Sequence, residues 1–512
     1  MIDPLLRLFA TGKGFLCVLV FIFLSENAFS QVPISQAQTE LDALARYESV
    51  HPPVAGLPLP GRAVGEERFG SRLVRSVTLL ATSTPKRKWP VKILIYGQSI
   101  VGSQVFTDEF NRMVHAKFPN AAITVENKAI GGCTADRILR TAAHDVYYAD
   151  ADLIVFHVYG GEEADYLDKL FFNIRKYTTA DILLLTHHTD LDSEEMDTNA
   201  YAYLQYIANK YSCELVDVSH EWKQYLEDNH LSAADLLRDP VHPNRNGNRL
   251  LVDLIERHLR YSSEAYTPWS QQVTSYYLSE AFDNPDSRFS YAQKPWALRG
   301  EVACGSSQTD TLRFQFEGNR VDFIAGCVPG GEVRGTATLR VDGHKLSETA
   351  LYAFTRPSEG PATWWPAVRK VSSQAPLVPE TWTLTIDGAN ADSTAYAFHV
   401  TGSSTGDDGA GTSDQFFMST SKRVVIRPTD FMLNNIRQVF KTRIPTGYEV
   451  SWQAKPLFVD PYRAIATPDS TEVYKTTVVQ GLNNGPHTLE IIPNGDGVVP
   501  IAGIEVHRPM IR

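Results

Sequence analysis

The sequence predicts a three-layer α/β domain with a parallel sheet, followed by an antiparallel β-sandwich or jelly-roll region. Between residues 91 and 262, apolar β-branched runs alternate with segments of helical periodicity. From residue 295 to 512, short segments of period two are separated by glycine-rich turns. Strands that are apolar throughout are covered on both faces, which is typical of a parallel sheet between helices, whereas the later alternation is typical of antiparallel sheets.

Residues 1–30 are predicted to be a secretory signal peptide. Arg7 and Lys13 precede or flank an apolar run over residues 14–24, and Ala28 and Ser30 are small residues before a cleavage site. About 11 apolar residues are too few to cross a bilayer, which needs roughly 20. We therefore expect export to the periplasm, the cell surface or the medium, with no membrane span once the signal is removed.

Two segments are assigned outside the main domains. Residues 31–90 form an N-terminal extension that packs on a later domain, and its prolines interrupt regular structure. Within it, residues 73–81 are expected to be a strand. Residues 263–294, which are rich in Ser, Tyr, Asn, Asp and Pro, are predicted to be a linker or crossover between the two main regions.

The α/β domain is predicted over residues 91–262. Five apolar runs are predicted to be its strands: 91–96, 123–126, 153–158, 182–185 and 215–218. The β region is predicted over residues 295–512, and its length allows either one elaborated sandwich or two. Cys304 and Cys327 flank a hairpin-like stretch there, where they form a disulfide or remain two buried thiols.

Composition narrows the classes of function. The 512 residues exceed what one core usually serves, and 43% hydrophobic with 21% charged residues is ordinary for a folded protein. A net charge of -11 disfavours nucleic acid as a partner, because phosphate binding needs basic surface. No cysteine spacing is typical of zinc, so we expect no metal and no cofactor. The oligomeric state stays open.

Four loops of the predicted parallel sheet carry candidate chemistry, because the carboxyl ends of its strands meet at one edge. They are Gly97-Gln98-Ser99, Gly131-Gly132, Tyr159-Gly160-Gly161-Glu162 and Asp239-Pro-Val-His242. Ser99 follows a strand directly, and Asp239 and His242 lie three residues apart before a helix. These residue types supply a nucleophile, a general base and the carboxylate that orients the base.

The order and spacing of these loops resemble the SGNH or GDSL hydrolase superfamily over residues 90–260. The resemblance implies a flavodoxin-like sheet with Ser99, Asp239 and His242 as the catalytic residues. It also implies an oxyanion hole formed by the backbone of Ser99 and Gly132, with Gly160 as a further candidate. Gln98 stands where many members have Asp, and this Gly-Gln-Ser variant is similar to those found in carbohydrate-directed esterases of the superfamily.

Glu162 departs from this pattern, because the resemblance places Asn two residues after Gly160. An ionised carboxylate has no hydrogen to donate and repels an oxyanion. We expect Glu162 to be a solvated loop residue, which leaves a hole with two backbone donors.

Further substrate-binding candidates are Gln98, Glu162, His187, Trp364 and Trp365. His187 and His188 are neighbours on an extended segment, so their side chains point to opposite sides. This disfavours a metal ion bound by both and favours a place at the pocket rim for one of them. Trp364 and Trp365 either form an exposed platform on which sugar rings stack or belong to a core.

Together these observations predict an exported serine esterase that removes acyl groups, most specifically acetyl, from an oligo- or polysaccharide. The β region is similar to accessory modules of carbohydrate esterases, which is why sugar is preferred to lipid. Two alternatives stay open: a carbohydrate-binding protein with an impaired site, motivated by Glu162, and a lipase or thioesterase.

Overall fold

The computed structural model describes residues 35–160, 165–188, 198–261, 272–283, 286–291, 296–327 and 333–512. The predicted signal peptide, residues 1–30, and Glu162 lie outside these ranges. Within them, no helix combines the length and the apolar character that a membrane span requires.

A five-stranded parallel sheet forms the centre of the first domain. Its strands are β1 Pro90–Gly97, β2 Ala122–Asn127, β3 Leu153–His157, β4 Asp181–Leu185 and β5 Glu214–Val216. The spatial order is β2-β1-β3-β4-β5, and every neighbouring pair is parallel. This is the flavodoxin-like order, so the predicted α/β fold is confirmed. The order reverses beside β1, which places the crevice for a ligand at the carboxyl end of that strand.

Helices cover both faces of this sheet. They are α1 Gln36–Glu48, α2 Val74–Thr82, α3 Ser99–Gly102, α4 Gln104–Lys117, α5 Ala135–Asp145, α6 Tyr166–Tyr177, α7 Thr198–Lys210, α8 Val218–Asp228 and α9 Arg245–His258. Along β1, Ile93 and Ile95 face a core with α2, α4, α8 and α9, whereas Leu94 and Tyr96 face a core with α5, α6 and α7. This alternation explains why the strand is apolar throughout.

The N-terminal extension packs on the α/β domain, and the strand expected over residues 73–81 is wrong. Those residues form α2, and they bury Leu73, Val77 and Leu80 against the sheet. The spacing of these three residues is that of one helix face. The apolar, β-branched composition of the segment concealed this period.

The later part of the chain forms two antiparallel units. The larger is a ten-stranded sheet made of β6 Val273–Tyr277, β7 Phe289–Tyr291, β8 Ala297–Arg299, β9 Val302–Gly305, β10 Leu312–Ala325, β11 Thr336–Val341, β12 His344–Lys345, β20 Tyr462–Arg463, β21 Lys475–Pro493 and β22 Val499–His507. Helix α10 Leu278–Asp283 lies between β6 and β7. Antiparallel pairing confirms the predicted β-sandwich region. Cys304 is buried and Cys327 is exposed, and no disulfide joins the two.

The smaller unit is inserted between β12 and β20, and we call it the inserted β unit. It contains β13 Tyr352–Phe354, β14 Glu380–Ala389, β15 Tyr396–Gly402, β16 Gly406–Thr412, β17 Phe417–Met418, β18 Val425–Ile426, helix α11 Leu433–Phe440 and β19 Glu449–Pro456. Its main sheet has the order β13-β19-β14-β15-β16. The chain therefore leaves the larger sheet, builds this unit and returns.

The expected linker over residues 263–294 is not a separate connection where the structure describes it. Strand β6 pairs with β22, and β7 pairs with β10, so both belong to the larger sheet. Their polar and aromatic residues fit strands that are exposed on one face, which the composition alone did not distinguish from a loop.

The inserted β unit packs directly on α5. The Arg356 guanidinium pairs with the buried Asp145 carboxylate at 2.8 Å, and Arg140 pairs with Asp430 at 2.6 Å. His144 Nδ1 lies 2.9 Å from the carbonyl oxygen of Phe354. Apolar residues of the unit and of the α5 face of the sheet form one continuous core. The two parts therefore share an interior.

A buried ionic cluster joins the larger β sheet to the α/β domain. Asp322 Oδ2 lies 2.7 Å from Arg320 and 3.1 Å from His507 Nε2. Across the interface, Arg320 pairs with Asp150 at 3.1 Å, and His507 Nδ1 contacts the Thr179 hydroxyl at 2.6 Å. Each charge of the cluster thus has a partner from the opposite side or the same strand.

Glu505 extends this cluster. It contacts Lys475 at 2.9 Å and Arg75 at 3.1 Å, and Arg75 also pairs with Asp152. Asp322, Glu505 and His507 hold potential ligand atoms within 4.8 Å of one another. The neighbouring guanidinium and ammonium groups already supply positive charge, so we interpret the cluster as an interdomain ion network.

Strand β1 ends in a turn that only glycine fits. Gly97 has φ of 135°, and a β-carbon there would overlap the carbonyl oxygen of His157 on β3. The close approach is held by the Gln98 N–H, which donates to the same carbonyl at 3.1 Å. The first residue after this turn-forming pair is Ser99, which begins α3.

Gly97→Ala is expected to destabilise the protein by more than the 1–3 kcal/mol or so typical of backbone strain, because the new β-carbon also collides with β3. Urea unfolding followed by circular dichroism measures this. Gly388→Ala is the matched control, because Gly388 lies in β14 with open space around its α-carbon. Equal unfolding midpoints for the two variants would contradict the prediction.

Asp322→Ala is expected to lower the unfolding free energy by about 3–5 kcal/mol, since it removes the buried carboxylate that Arg320 and His507 share and leaves Arg320 with Asp150 as its remaining partner in the cluster. Although burial acts to raise it, Arg320 and His507 hold the pKa of Asp322 below its ordinary value. Its contribution is therefore complete above the unfolded-state pKa of about 3.9 and is lost as the pH falls further. Urea titrations at neutral and strongly acidic pH test both statements.

The exposed pair of Asp387 and His399 provides the control for this prediction. Asp387→Ala is expected to cost at most about 1 kcal/mol, because water already solvates both partners. A similar loss in the two variants would refute a special role for the buried cluster.

Candidate active site

Ser99 lies at the carboxyl end of the central strand β1. Its side chain is nearly buried, with 7% of the residue exposed, and it occupies the first position of α3. The N–H groups in a first helical turn have no acceptor within the helix, so the backbone of Ser99 is available to an external acceptor. The strand, the turn at Gly97 and the short helix together fix both the hydroxyl and this N–H.

Asp239 and His242 come from the loop before α9 and reach Ser99 across the edge of the sheet. His242 Nε2 lies 3.0 Å from Ser99 Oγ, and His242 Nδ1 lies 2.9 Å from both carboxylate oxygens of Asp239. These are distances at which a base accepts a proton from a hydroxyl. The structure thus brings together the three residues that the sequence selected.

The loop itself orients Asp239. Its Oδ1 accepts hydrogen bonds from the backbone N–H of Val241 at 3.0 Å and of His242 at 2.8 Å. Burial acts to raise the pKa of Asp239, but the hydrogen bond and the charge of His242 outweigh it and hold this pKa below the usual range. Asp239 is therefore a carboxylate at neutral pH and selects the tautomer of His242 with a proton on Nδ1.

Gly132 and Gly160, the predicted glycine donors, both have left-handed backbone conformations, with φ of 74° and 77°. The Gly160 carbonyl accepts a hydrogen bond from Ala135 N at 3.3 Å, which joins the third loop to the start of α5. Glu162, two residues later, lies outside the described residues, so its direction stays an expectation.

Gln98 is a bridge between two loops, and its role in substrate binding stays a prediction. It is 2% exposed, and its Oε1 accepts a hydrogen bond from Tyr159 N at 2.9 Å. Its amide is thus used to hold the third loop against the first.

His187 lies half-buried at the end of β4. Its Nδ1 is 3.1 Å from His157 Nε2, and its ring lies 4.2 Å from that of Tyr159. The adjacent His188 points elsewhere, because its Nε2 meets the Val241 carbonyl at 2.7 Å. The two rings therefore diverge as the extended backbone predicts, and His188 supports the loop that carries His242.

Trp364 and Trp365 are buried, which corrects the expectation of an exposed sugar platform. Their residues are 9% and 2% exposed, and both indole N–H groups donate to the carbonyl oxygen of Gly131, at 3.1 and 2.7 Å. They belong to the inserted β unit and reach the second loop of the site. The core alternative considered for them is the one that the structure supports.

Helix α1 contributes residues that sequence analysis missed. Gln36 Oε1 accepts from Gly131 N at 2.9 Å, and Gln36 Nε2 donates to Glu40 Oε1 at 3.1 Å. Burial raises the pKa of Glu40, against the opposing charges of Arg238 and His242. Arg238 also donates to the Glu40 carbonyl at 3.0 Å. No local motif marks these residues, because their partners lie far away in the sequence.

No protein-family model matches the sequence, and a comparison with curated proteins finds no match. Among solved structures, the chain is similar to a two-domain esterase active on acetylated mannans, with 12% identity, a TM-score of 0.33, and coverage of 88% of this chain and 100% of that one.

Two further solved structures match about a third of the chain. An acetylxylan esterase from Geobacillus stearothermophilus is 21% identical, covers 35% of this chain and 97% of its own, and gives a TM-score of 0.29. An alpha/beta hydrolase from the metagenome of Lake Arreo, Spain, is 19% identical over 34% of this chain and 98% of its own, also with a TM-score of 0.29.

Proposed function

We propose that this protein is an exported serine esterase that removes acyl groups, most specifically acetyl, from a carbohydrate. The hydrogen-bond chain from Asp239 through His242 to Ser99 carries this proposal. A serine hydroxyl next to an oriented imidazole, beside backbone N–H groups, is the arrangement that acyl transfer requires.

In the first half of the reaction, Ser99 Oγ attacks the ester carbonyl carbon while His242 Nε2 takes the hydroxyl proton. The carbonyl oxygen becomes an oxyanion, for which the N–H groups of Ser99 and Gly132 are the proposed donors. The C–O bond to the sugar then breaks, and His242 returns the proton to the departing sugar oxygen. The product is a free sugar hydroxyl and an acyl group on Ser99.

In the second half, water replaces the sugar. His242 takes a proton from water as its oxygen attacks the acyl carbon, and the bond to Ser99 Oγ breaks as that proton passes to the serine. A carboxylic acid and the free enzyme result. Throughout, the Asp239 carboxylate stabilises the imidazolium that forms twice in each cycle.

The carbohydrate is proposed from the sequence resemblance at Gly97-Gln98-Ser99 and from the appended β region, and export is proposed from residues 1–30. An impaired site is the second candidate, motivated by Glu162 in place of Asn. The close contacts among Ser99, His242 and Asp239 favour an active enzyme, since a site without function has no reason to retain all three.

Ser99→Ala is expected to reduce turnover of 4-nitrophenyl acetate by at least about 1000-fold, because the acyl-enzyme cannot form. Release of 4-nitrophenolate is followed by absorbance. Ser103→Ala is the matched control. Ser103 is also buried, it lies four residues after Ser99, and its side chain makes no capping hydrogen bond to α4. It is expected to retain wild-type turnover. Unchanged activity in Ser99→Ala would refute the proposed nucleophile.

The acyl group is tested by comparing 4-nitrophenyl acetate with the octanoate, and by measuring acetate released from acetylated oligosaccharides. A carbohydrate deacetylase is expected to prefer acetyl and to release acetate from the sugar. A preference for octanoyl would indicate a lipase or thioesterase. Glycan binding without hydrolysis of any ester would instead support the impaired site.

A further inference from the structure

The Gly131 carbonyl receives two indole hydrogen bonds, from Trp364 at 3.1 Å and Trp365 at 2.7 Å. A carbonyl oxygen has two lone pairs and can accept both. The donors come from the inserted β unit, 233 and 234 residues further along the chain. This convergence occurs on the peptide group that links Gly131 to Gly132.

The rest of this glycine pair is also held. The N–H of Gly131 donates to Gln36 Oε1 at 2.9 Å, and the carbonyl of Gly132 accepts from Arg137 Nη1 at 3.3 Å. The Arg137 guanidinium lies 4.9 Å from the Trp365 ring centroid. Gly131 and Gly132 together have two N–H groups and two carbonyl groups in their backbone. Of these four groups, the Gly132 N–H alone has no hydrogen-bond partner among the described residues.

That N–H and the Gly131 carbonyl belong to one planar trans peptide. Their bonds point in opposite directions, so the direction of the carbonyl fixes the direction of the N–H. Hydrogen bonds accepted by a carbonyl also polarise its amide and strengthen the N–H as a donor. Two indoles on one side of the peptide thus act on the donor on its other side.

We propose that Trp364 and Trp365 are positioning residues that orient and polarise the Gly132 N–H as an oxyanion donor. This inference rests on the proposed esterase function and deepens it. Through these two indoles, the inserted β unit then contributes to the rate of the reaction.

The pair differs from other tryptophans of the same unit. Trp382 and Trp452 are also buried, but within the described residues their indole nitrogens have no hydrogen-bond partner. Apolar packing alone is therefore sufficient to retain an indole in this unit. The hydrogen bonds of Trp364 and Trp365 therefore need a separate explanation. Both of them end on the Gly131 carbonyl, and their effect on that peptide provides the explanation.

The kinetic test replaces Trp364 and Trp365 by Phe, singly and together, in the full chain. With 4-nitrophenyl acetate, each single variant is expected to lose up to about tenfold in kcat with KM unchanged. The reason is that the Gly132 N–H is proposed to bind the oxyanion, which forms in the transition state and is absent from the bound substrate. The double variant is expected to lose more. The pH profile of kcat/KM should keep its midpoint, since Asp239 and His242 are untouched.

Trp382→Phe and Trp452→Phe are the matched controls. They remove an indole of the same size from the same unit without removing a hydrogen bond. Unfolding midpoints in urea, measured for both sets, establish that every variant is folded under the conditions of the assay. A loss of kcat in the controls equal to that in the Trp364 and Trp365 variants would overturn the proposal.

A second measurement does not depend on activity. Among 33 glycines the chain has three Gly–Gly pairs, 131–132, 160–161 and 330–331, so a sample labelled with ¹³C carbonyl and ¹⁵N at glycine gives few peptide signals by NMR. Gly132→Ala removes and thereby assigns the signal of interest. In the double Phe variant, its carbonyl resonance should move upfield as the hydrogen bonds are lost.

The outcomes separate this inference from the function beneath it. An unmoved carbonyl signal refutes the hydrogen bonds, and a moved signal with control-like kcat refutes the positioning role. Wild-type protein without esterase activity overturns the proposed function and the catalytic part of this inference, whereas a moved signal in that case still establishes the two hydrogen bonds.

Discussion

One apolar core shared by the parallel sheet and the inserted β unit is the constraint on which the rest of the structure depends. Leu94, Tyr96 and Phe156 of the sheet belong to the same cluster as Trp382 and Trp452 of the unit. Moving the unit away would expose α5 and both interiors to water, and burial of apolar surface opposes this at about 25 cal/mol per Å². The two parts are therefore held at a fixed distance.

Fixed packing matters because the candidate site is assembled from separate segments. Ser99 belongs to the turn after β1, His242 to the loop before α9, and Gly131 is held by α1 and by the inserted β unit. Small displacements of a reacting group reduce rates strongly, so rigid support around each loop has chemical value. The buried ions at Asp322 add a second attachment, between the larger β sheet and the α/β domain.

Local patterns predicted the parts of the fold that local physics controls. The strand expected over residues 91–96 is β1 within one residue, and Ser99 at its carboxyl end meets His242 from the loop before α9. The helix at residues 74–82 was missed because its β-branched composition concealed a helical period. Composition also concealed β6, whose partner β22 lies more than 200 residues away.

The supports of the site were beyond such reasoning. Gln36, Glu40 and Trp365 carry no motif, and their roles come from contacts with Gly131 and Arg238 that only the folded chain creates. A Trp pair followed by Pro fits a sugar platform and a core equally well in sequence. Whether the Trp pair is exposed or buried depends on the surface that packs against it, and that surface belongs to another domain.

The separation of the two indoles from Gly131 has a consequence for synthesis. A ribosome completes the α/β domain long before residue 364, and contacts between residues so distant in sequence form slowly during folding. On the proposed role of the indoles, a nascent or truncated chain contains the nucleophile and the base, but its glycine turn has the support of Gln36 and lacks the two indole hydrogen bonds. The enzyme then reaches its full rate only after the inserted β unit has been synthesised and has folded onto the α/β domain.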